Sequence, residues 1–161
     1  MLKIFNNLEP FFEDAYRELS VREYGRLRKI SPPTASKILK GFAKENLLIR
    51  KKQGIYLVFR ANNEYHLFRD LAAAYWREKL FHLLEDMHKE VLFKPITLFG
   101  SIVKAENTKN SDIDIYIGIP QKKIDTKAIE SKLKRKIQIH FSDSAKNENL
   151  LENIKKGVII R

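Results

Sequence analysis

Residues 112–119 read Asp-Ile-Asp-Ile-Tyr-Ile-Gly-Ile. Strict alternation of this kind is the period of a β-strand, whose successive side chains point to opposite faces. Asp112, Asp114 and Tyr116 therefore share one face, and Ile113, Ile115 and Ile117 share the other, which must be covered by a core. Two carboxylates on neighbouring same-face positions repel each other. The arrangement is costly unless a divalent cation lies between them. Oxygen-only ligands suit Mg²⁺ or Mn²⁺ held jointly with the phosphates of a nucleotide.

The flanking segments point the same way. Pro-Ile-Thr-Leu-Phe (95–99) reads as a strand and runs directly into Gly100-Ser101. A glycine lets the backbone approach a ligand closely. One or two helical turns are expected between Ser101 and Ala105, and free N–H groups at a helix start favour phosphate. Asn107–Ser111 is a polar loop. Downstream, Lys-Ile-Gln-Ile-His-Phe (136–141) reads as a further strand with Ile137, Ile139 and Phe141 toward the core. Gln138 and His140 then share the face of the two aspartates and are the candidates for a third position there. Glutamine cannot act as a base and is a poor Mg²⁺ ligand. His140 could be a base, a ligand or simply a hydrogen-bonded strand residue.

The chain has 161 residues, enough for one ordinary domain or two small ones. Its 43 % apolar and 32 % charged residues describe a folded protein rather than a disordered one. The absence of cysteine excludes disulfides, thiolate metal sites and a cysteine nucleophile. It fits a reducing compartment. No apolar run reaches membrane-spanning length, and the N-terminal stretch turns acidic too early for a secretory signal. A cytoplasmic protein without a membrane partner is expected.

The net charge of +11 is unevenly spread. Residues 1–19 hold two bases and four acids, whereas residues 20–60 hold eleven bases and two acids, Glu23 and Glu45. Such a stretch is either the footprint of a nucleic-acid site or a lysine-rich solvated face. The pattern beneath it is informative. Ser20-Val-Arg-Glu23 is a capping box that starts a short helix to Lys29, with Val21, Tyr24 and Leu27 facing inward. Ser31 suits an N-cap and Pro32 the first position of a second helix. Ala35, Ile38, Leu39 and Phe42 form its buried stripe, leaving Thr34, Ser36, Lys37, Lys40 and Lys44 largely on the other side. Gln53-Gly54 then separates two extended runs, a β-hairpin with alternating residues 55–60 and a basic tip of Arg50, Lys51 and Lys52.

This pattern, over roughly residues 8–62, resembles a winged helix-turn-helix domain. The resemblance implies that the second helix enters the major groove of double-stranded DNA and that the wing touches phosphate or the minor groove. Winged helices also serve as protein–protein modules. Residues 64–91 read as helix, in two pieces broken near Tyr75–Trp76. The apolar stripe of this helix runs from Phe68 to Met87 and packs against a neighbouring domain or a second copy in a homodimer. His82 and His88 are six residues apart, not on one helical face, so no metal role is expected for them.

Gly-Ser followed ten residues later by Asp-x-Asp resembles the minimal branch of the DNA polymerase β superfamily of nucleotidyltransferases. The resemblance covers about residues 96–160. It implies that Gly100 and Ser101 hold a triphosphate, ATP or another NTP, that Asp112 and Asp114 bind metal, and that Lys104 offsets charge. Ala105 stands where the family usually has glycine, and Gln138 where it would have a third carboxylate. The expected architecture is α+β: a winged helix-turn-helix (1–63), a helical connector (64–91) and a small mixed-sheet nucleotidyltransferase fold (92–161). The resemblance implies transfer of a nucleoside monophosphate, with AMP as the first candidate, to a hydroxyl acceptor. That acceptor includes a partner protein such as a toxin silenced by AMP addition. The alternative is a transcription regulator whose transferase-like domain is inactive and only senses nucleotide or mediates assembly.

Overall fold

The computed structural model describes residues 1–144 and 147–161. Among them are seven helices and two β-sheets, an α+β chain that divides into two compact units. The first unit comprises Met1–Leu71 with Ala105–Lys109; the second comprises Ala72–Lys104 with Asn110–Arg161.

The first unit runs α1 (Lys3–Glu13), β1 (Leu19–Ser20), α2 (Val21–Arg28), α3 (Pro32–Lys44), β2 (Leu48–Gln53) and β3 (Tyr56–Ala61), and contains the start of α4 (His66–Leu83). Helix α1 continues through Pro10 because Phe5, Leu8, Phe11 and Phe12 bury one side of it. Phe11 stacks on Tyr24 and Phe12 packs on Phe68. Tyr24 donates to the carbonyl of Asn7 at 2.9 Å, and burial pushes its phenol above the ordinary value. The capping box is formed: Ser20 N donates to Glu23 Oε2 at 2.8 Å and Glu23 N to Ser20 Oγ at 3.3 Å. These hydrogen bonds hold the Glu23 carboxyl below its usual range. Ser31 caps α3 in the same way, accepting from Thr34 N.

Three details of this unit depart from periodicity. Leu27 is 45 % exposed rather than inward, because α2 is covered only along Tyr24 and Gly25. Ile38 and Phe42 are half-buried, leaving Ala35 and Leu39 as the covered stripe of α3. In the hairpin the alternation fails. β3 is the central strand of the order β1-β3-β2, and where all three strands overlap Val58 and Phe59 are both buried. The tip is Gly54-Ile55, with Gly54 at φ +59° and Ile55 86 % exposed, so it is apolar. Arg50, Lys51 and Lys52 lie along β2 opposite Phe59, Val58 and Leu57.

The second unit holds the rest of α4, then α5 (Glu85–Glu90), β4 (Ile96–Phe99), β5 (Ile113–Ile117), α6 (Lys127–Leu133), β6 (Ile137–Phe141), α7 (Glu148–Lys155) and β7 (Val158–Ile159). Its mixed sheet has the order β6-β5-β4-β7, with β5 and β6 parallel and the other pairs antiparallel. Helix α4 does not break at Tyr75–Trp76. Both rings are fully buried there, and the interruption comes at Leu84. Gly157 admits the short β7: a Cβ at this position would lie 2.5 Å from the carbonyl oxygen of Leu98. The segment after Gly100 forms a single turn, closed by Lys104 N donating to Gly100 O, and not a regular helix. Among the described residues no helix is long and apolar enough to cross a membrane.

Candidate functional site

Strand β5 is anchored from both ends of its first turn of sequence. Arg135, buried with its guanidinium 5.3 Å from the Trp76 ring, donates to Ser111 O at 2.6 Å. Ile113 N donates to Lys136 O at 2.9 Å. Asp112 is thus fixed between two tied residues. Glu130 of α6 accepts from Ile137 N at 2.9 Å and so sets where β6 begins. The register that follows pairs Asp114 with Phe99 on β4 and with Gln138 on β6.

One face of the sheet consequently carries Phe99, Asp112, Asp114, Tyr116, Gln138 and His140. Gln138 Nε2 donates to Asp112 Oδ2 at 2.6 Å, and His140 Nε2 lies 3.3 Å from Asp114 Oδ1. The His140 ring meets the Phe99 ring edge-on at 5.1 Å. The other oxygen of Asp114 reaches the Gly100 turn: a Cβ on Gly100 would lie 2.7 Å from Asp114 Oδ2, and Gly100 has φ +82°. Only glycine satisfies both conditions without strain. Burial is the main influence on the Asp114 carboxyl and raises its pKa. The His140 contact opposes the rise, and the charge of Asp112 adds to it. Ser101 is half-buried beside Gly100. Lys104 is exposed and donates to Asn153 Oδ1 of α7 at 2.8 Å.

The family model for polymerase beta nucleotidyltransferases matches residues 78–161, which spans this sheet, both aspartates and the Gly-Ser turn. The chain belongs to that family. No curated protein and no solved structure matches it. Nucleotidyltransferases of this type act with a divalent metal. Among the described residues no three His, Cys, Asp or Glu side chains are close enough together to form a metal cluster. Two carboxylates on one strand face nevertheless fit a cation such as Mg²⁺, which takes one or two protein carboxylates and completes its shell with phosphate oxygens and water.

In this unit Arg135, Glu130 and Phe99 support the site without any signal in the periodicity. Arg135 and Glu130 act through backbone partners, and Phe99 looks like an ordinary strand residue.

In the first unit, Thr34, Lys37, Lys40 and Lys44 are exposed on α3, and Ser36 is half-buried. Thr34 Oγ1 bonds Ser31 Oγ at 2.8 Å within the cap. Lys40, Lys44 and Arg50 line one groove of about 460 Å³ between α3 and β2. Lys37 and Lys52 are not among its lining residues, and Lys51 pairs with Glu18 at 3.6 Å. A second groove, of about 530 Å³, is lined by Arg22, Arg26 and Lys29 of the α2 segment together with Pro32. The sequence placed those three bases in the same charged stretch, but nothing in it marked them as neighbours of a groove.

Proposed function

We propose that the second unit binds a nucleoside triphosphate with Mg²⁺ or Mn²⁺. It transfers a nucleoside monophosphate, AMP as the first candidate, to a hydroxyl acceptor in the cytoplasm. The observation that carries this reading is the approach of the Asp114 carboxylate to the Gly100 turn, which puts a cation ligand and a phosphate-sized backbone turn side by side. Asp112 and Asp114 hold the cation, and Gly100 and Ser101 receive the phosphates. Lys104 exchanges Asn153 for a phosphate oxygen. The cation, when bound, neutralises phosphate charge and polarises the α-phosphoryl group. The acceptor oxygen bonds to the α-phosphorus, the bond to the bridging oxygen breaks, and pyrophosphate leaves. His140 is the group on this face able to take the acceptor's proton. A partner protein, as in toxin–antitoxin pairs, is the proposed acceptor.

The first unit we read as a winged helix-turn-helix that binds duplex DNA. Its support is the order helix–strand–helix–helix–hairpin, the excess of bases over residues 20–60, and the gathering of Lys40, Lys44 and Arg50 on one groove. One observation favours the second reading, a regulator that senses nucleotide without turnover. The residue paired with Asp114 is Gln138, an amide that donates to Asp112 and cannot accept a proton.

Calorimetric titration with ATP separates these readings at the first step. Binding should require Mg²⁺ or Mn²⁺ and lose that dependence in the Asp112→Asn, Asp114→Asn double variant. Equal affinity in EDTA would rule out the shared cation. Label from α-labelled ATP should then appear on a copurified protein; its absence with intact nucleotide binding supports the sensor. For DNA, Lys37→Ala and Lys40→Ala in the full chain should each weaken binding and lower the salt slope by about one. No binding at low salt would leave the protein–protein reading.

A further inference from the structure

The face around Asp112 and Asp114 is closed on both sides in a way that limits how many cations it can take. On the β4 side the neighbour is Phe99, 4 % exposed and apolar, followed by Gly100, where an added Cβ would lie 2.7 Å from Asp114 Oδ2. On the β6 side the neighbours are Gln138 and His140, one aimed at each carboxylate. The amide of Gln138 presents N–H to Asp112 Oδ2 at 2.6 Å, and this places a positive hydrogen where a second cation would have to bridge toward β6. No acid on β4 or β6 joins the pair, and among the described residues no third carboxylate approaches it. Two cations a few ångströms apart repel strongly and need bridging anionic ligands. Two carboxylates, each with one oxygen against a β6 side chain, retain enough capacity for one.

We infer that this site takes a single divalent cation, the one that arrives with the nucleotide. Gln138 occupies the place of a second and acts as the positioning residue for Asp112, while His140 stands against Asp114. This rests on the nucleotide-binding reading above. The hydrogen bond from Gln138 fixes the rotamer of Asp112 and leaves Oδ1 to face the cation. The His140 ring lies 3.3 Å from Asp114 Oδ1 and meets the Phe99 ring edge-on.

The test is a count. Full-length protein is dialysed against Mn²⁺ with a non-hydrolysable α,β-methylene ATP, and bound Mn²⁺ per chain is read by electron paramagnetic resonance. The expected value is one for wild type and two for Gln138→Asp or Gln138→Glu, where a carboxylate replaces the donor. Gln138→Ala should keep one cation and bind it about five-fold more weakly, the loss of one hydrogen bond. Thermal melts establish that each variant is folded, and Gln138 is exposed enough that both acids are accommodated. Two Mn²⁺ per wild-type chain would overturn the single-cation inference while leaving the nucleotide reading intact. One Mn²⁺ in wild type and in both acidic variants would overturn the role of Gln138. Nucleotide that fails to bind at all would overturn both readings, and the calorimetry above identifies that case separately.

Discussion

Gly100 and Asp114 carry the sharpest consequences at the level of single residues. Gly100 has φ +82°, and an added Cβ would meet the Asp114 carboxylate. Gly100→Ala should therefore cost stability by about 1–2 kcal/mol, the cost of a left-handed backbone for an L-residue. It should also displace Asp114, so metal-dependent ATP binding should fall well beyond what the stability loss explains. Denaturant melts and calorimetry on the same preparation measure the two effects. Asp114 also dictates a pH dependence. Its folded pKa is raised by burial above the ordinary carboxyl value, so the folded state binds the proton more tightly than the unfolded chain does. This contribution to stability is complete below the unfolded value, about pH 4, and is lost as pH rises through the raised folded value. Metal-free protein should show that decline in Tm over the acidic range, and Asp114→Asn should remove it. A profile unchanged by the substitution would mean that another group is responsible.

Within elements, the contrast is between local chemistry and long-range support. The end of α1 illustrates the second kind. Asn107, buried in the loop between β4 and β5, donates from Nδ2 to Phe12 O at 2.9 Å and Glu13 O at 3.1 Å. Its carbonyl in turn accepts from Ala15 N. These are the last carbonyls of the helix, which have no partner within it. Asn107→Ala should destabilise the first unit by about 2 kcal/mol, because two hydrogen bonds to the end of α1 are lost. A loss below a few tenths, measured by denaturant melts, would show that water takes over the role. A polar loop sequence gives no sign of such a bond, since the partners lie more than ninety residues away. Local signals are different. The Ser20–Glu23 box, the Ser31 cap and the alternation of 112–117 each act within a few residues, and all three elements stand where those patterns put them. So does the meeting of Gln138 and His140 with the aspartates, because strand parity alone decides the face. Two features stand elsewhere than the sequence reading put them. The α4 interruption lies at Leu84 and not at the aromatic pair, because packing of two buried rings overrides their poor helix propensity. The hairpin tip is Gly54-Ile55 and not the basic run, because turn chemistry sets the register and the charges follow along β2.

At the scale of the whole molecule, the chain combines two compact units whose cores are built from different residues. The first relies on Phe5, Phe11, Phe12, Tyr24, Phe59 and Phe68, the second on the face of isoleucines beneath the aspartates and on Trp76. Trp76 is the only tryptophan in the chain, fully buried, with Lys79 Nζ 5.1 Å and the Arg135 guanidinium 5.3 Å from its ring. Its emission is therefore a private optical probe of the nucleotidyltransferase unit. The fluorescence should be blue-shifted in the native state and should move to the red only when that unit opens. Circular dichroism sees the helices of both units. If the two units unfold in separate steps, the fluorescence and dichroism transitions will not coincide. A variant in the first unit such as Asn107→Ala will then move one curve and leave the other in place.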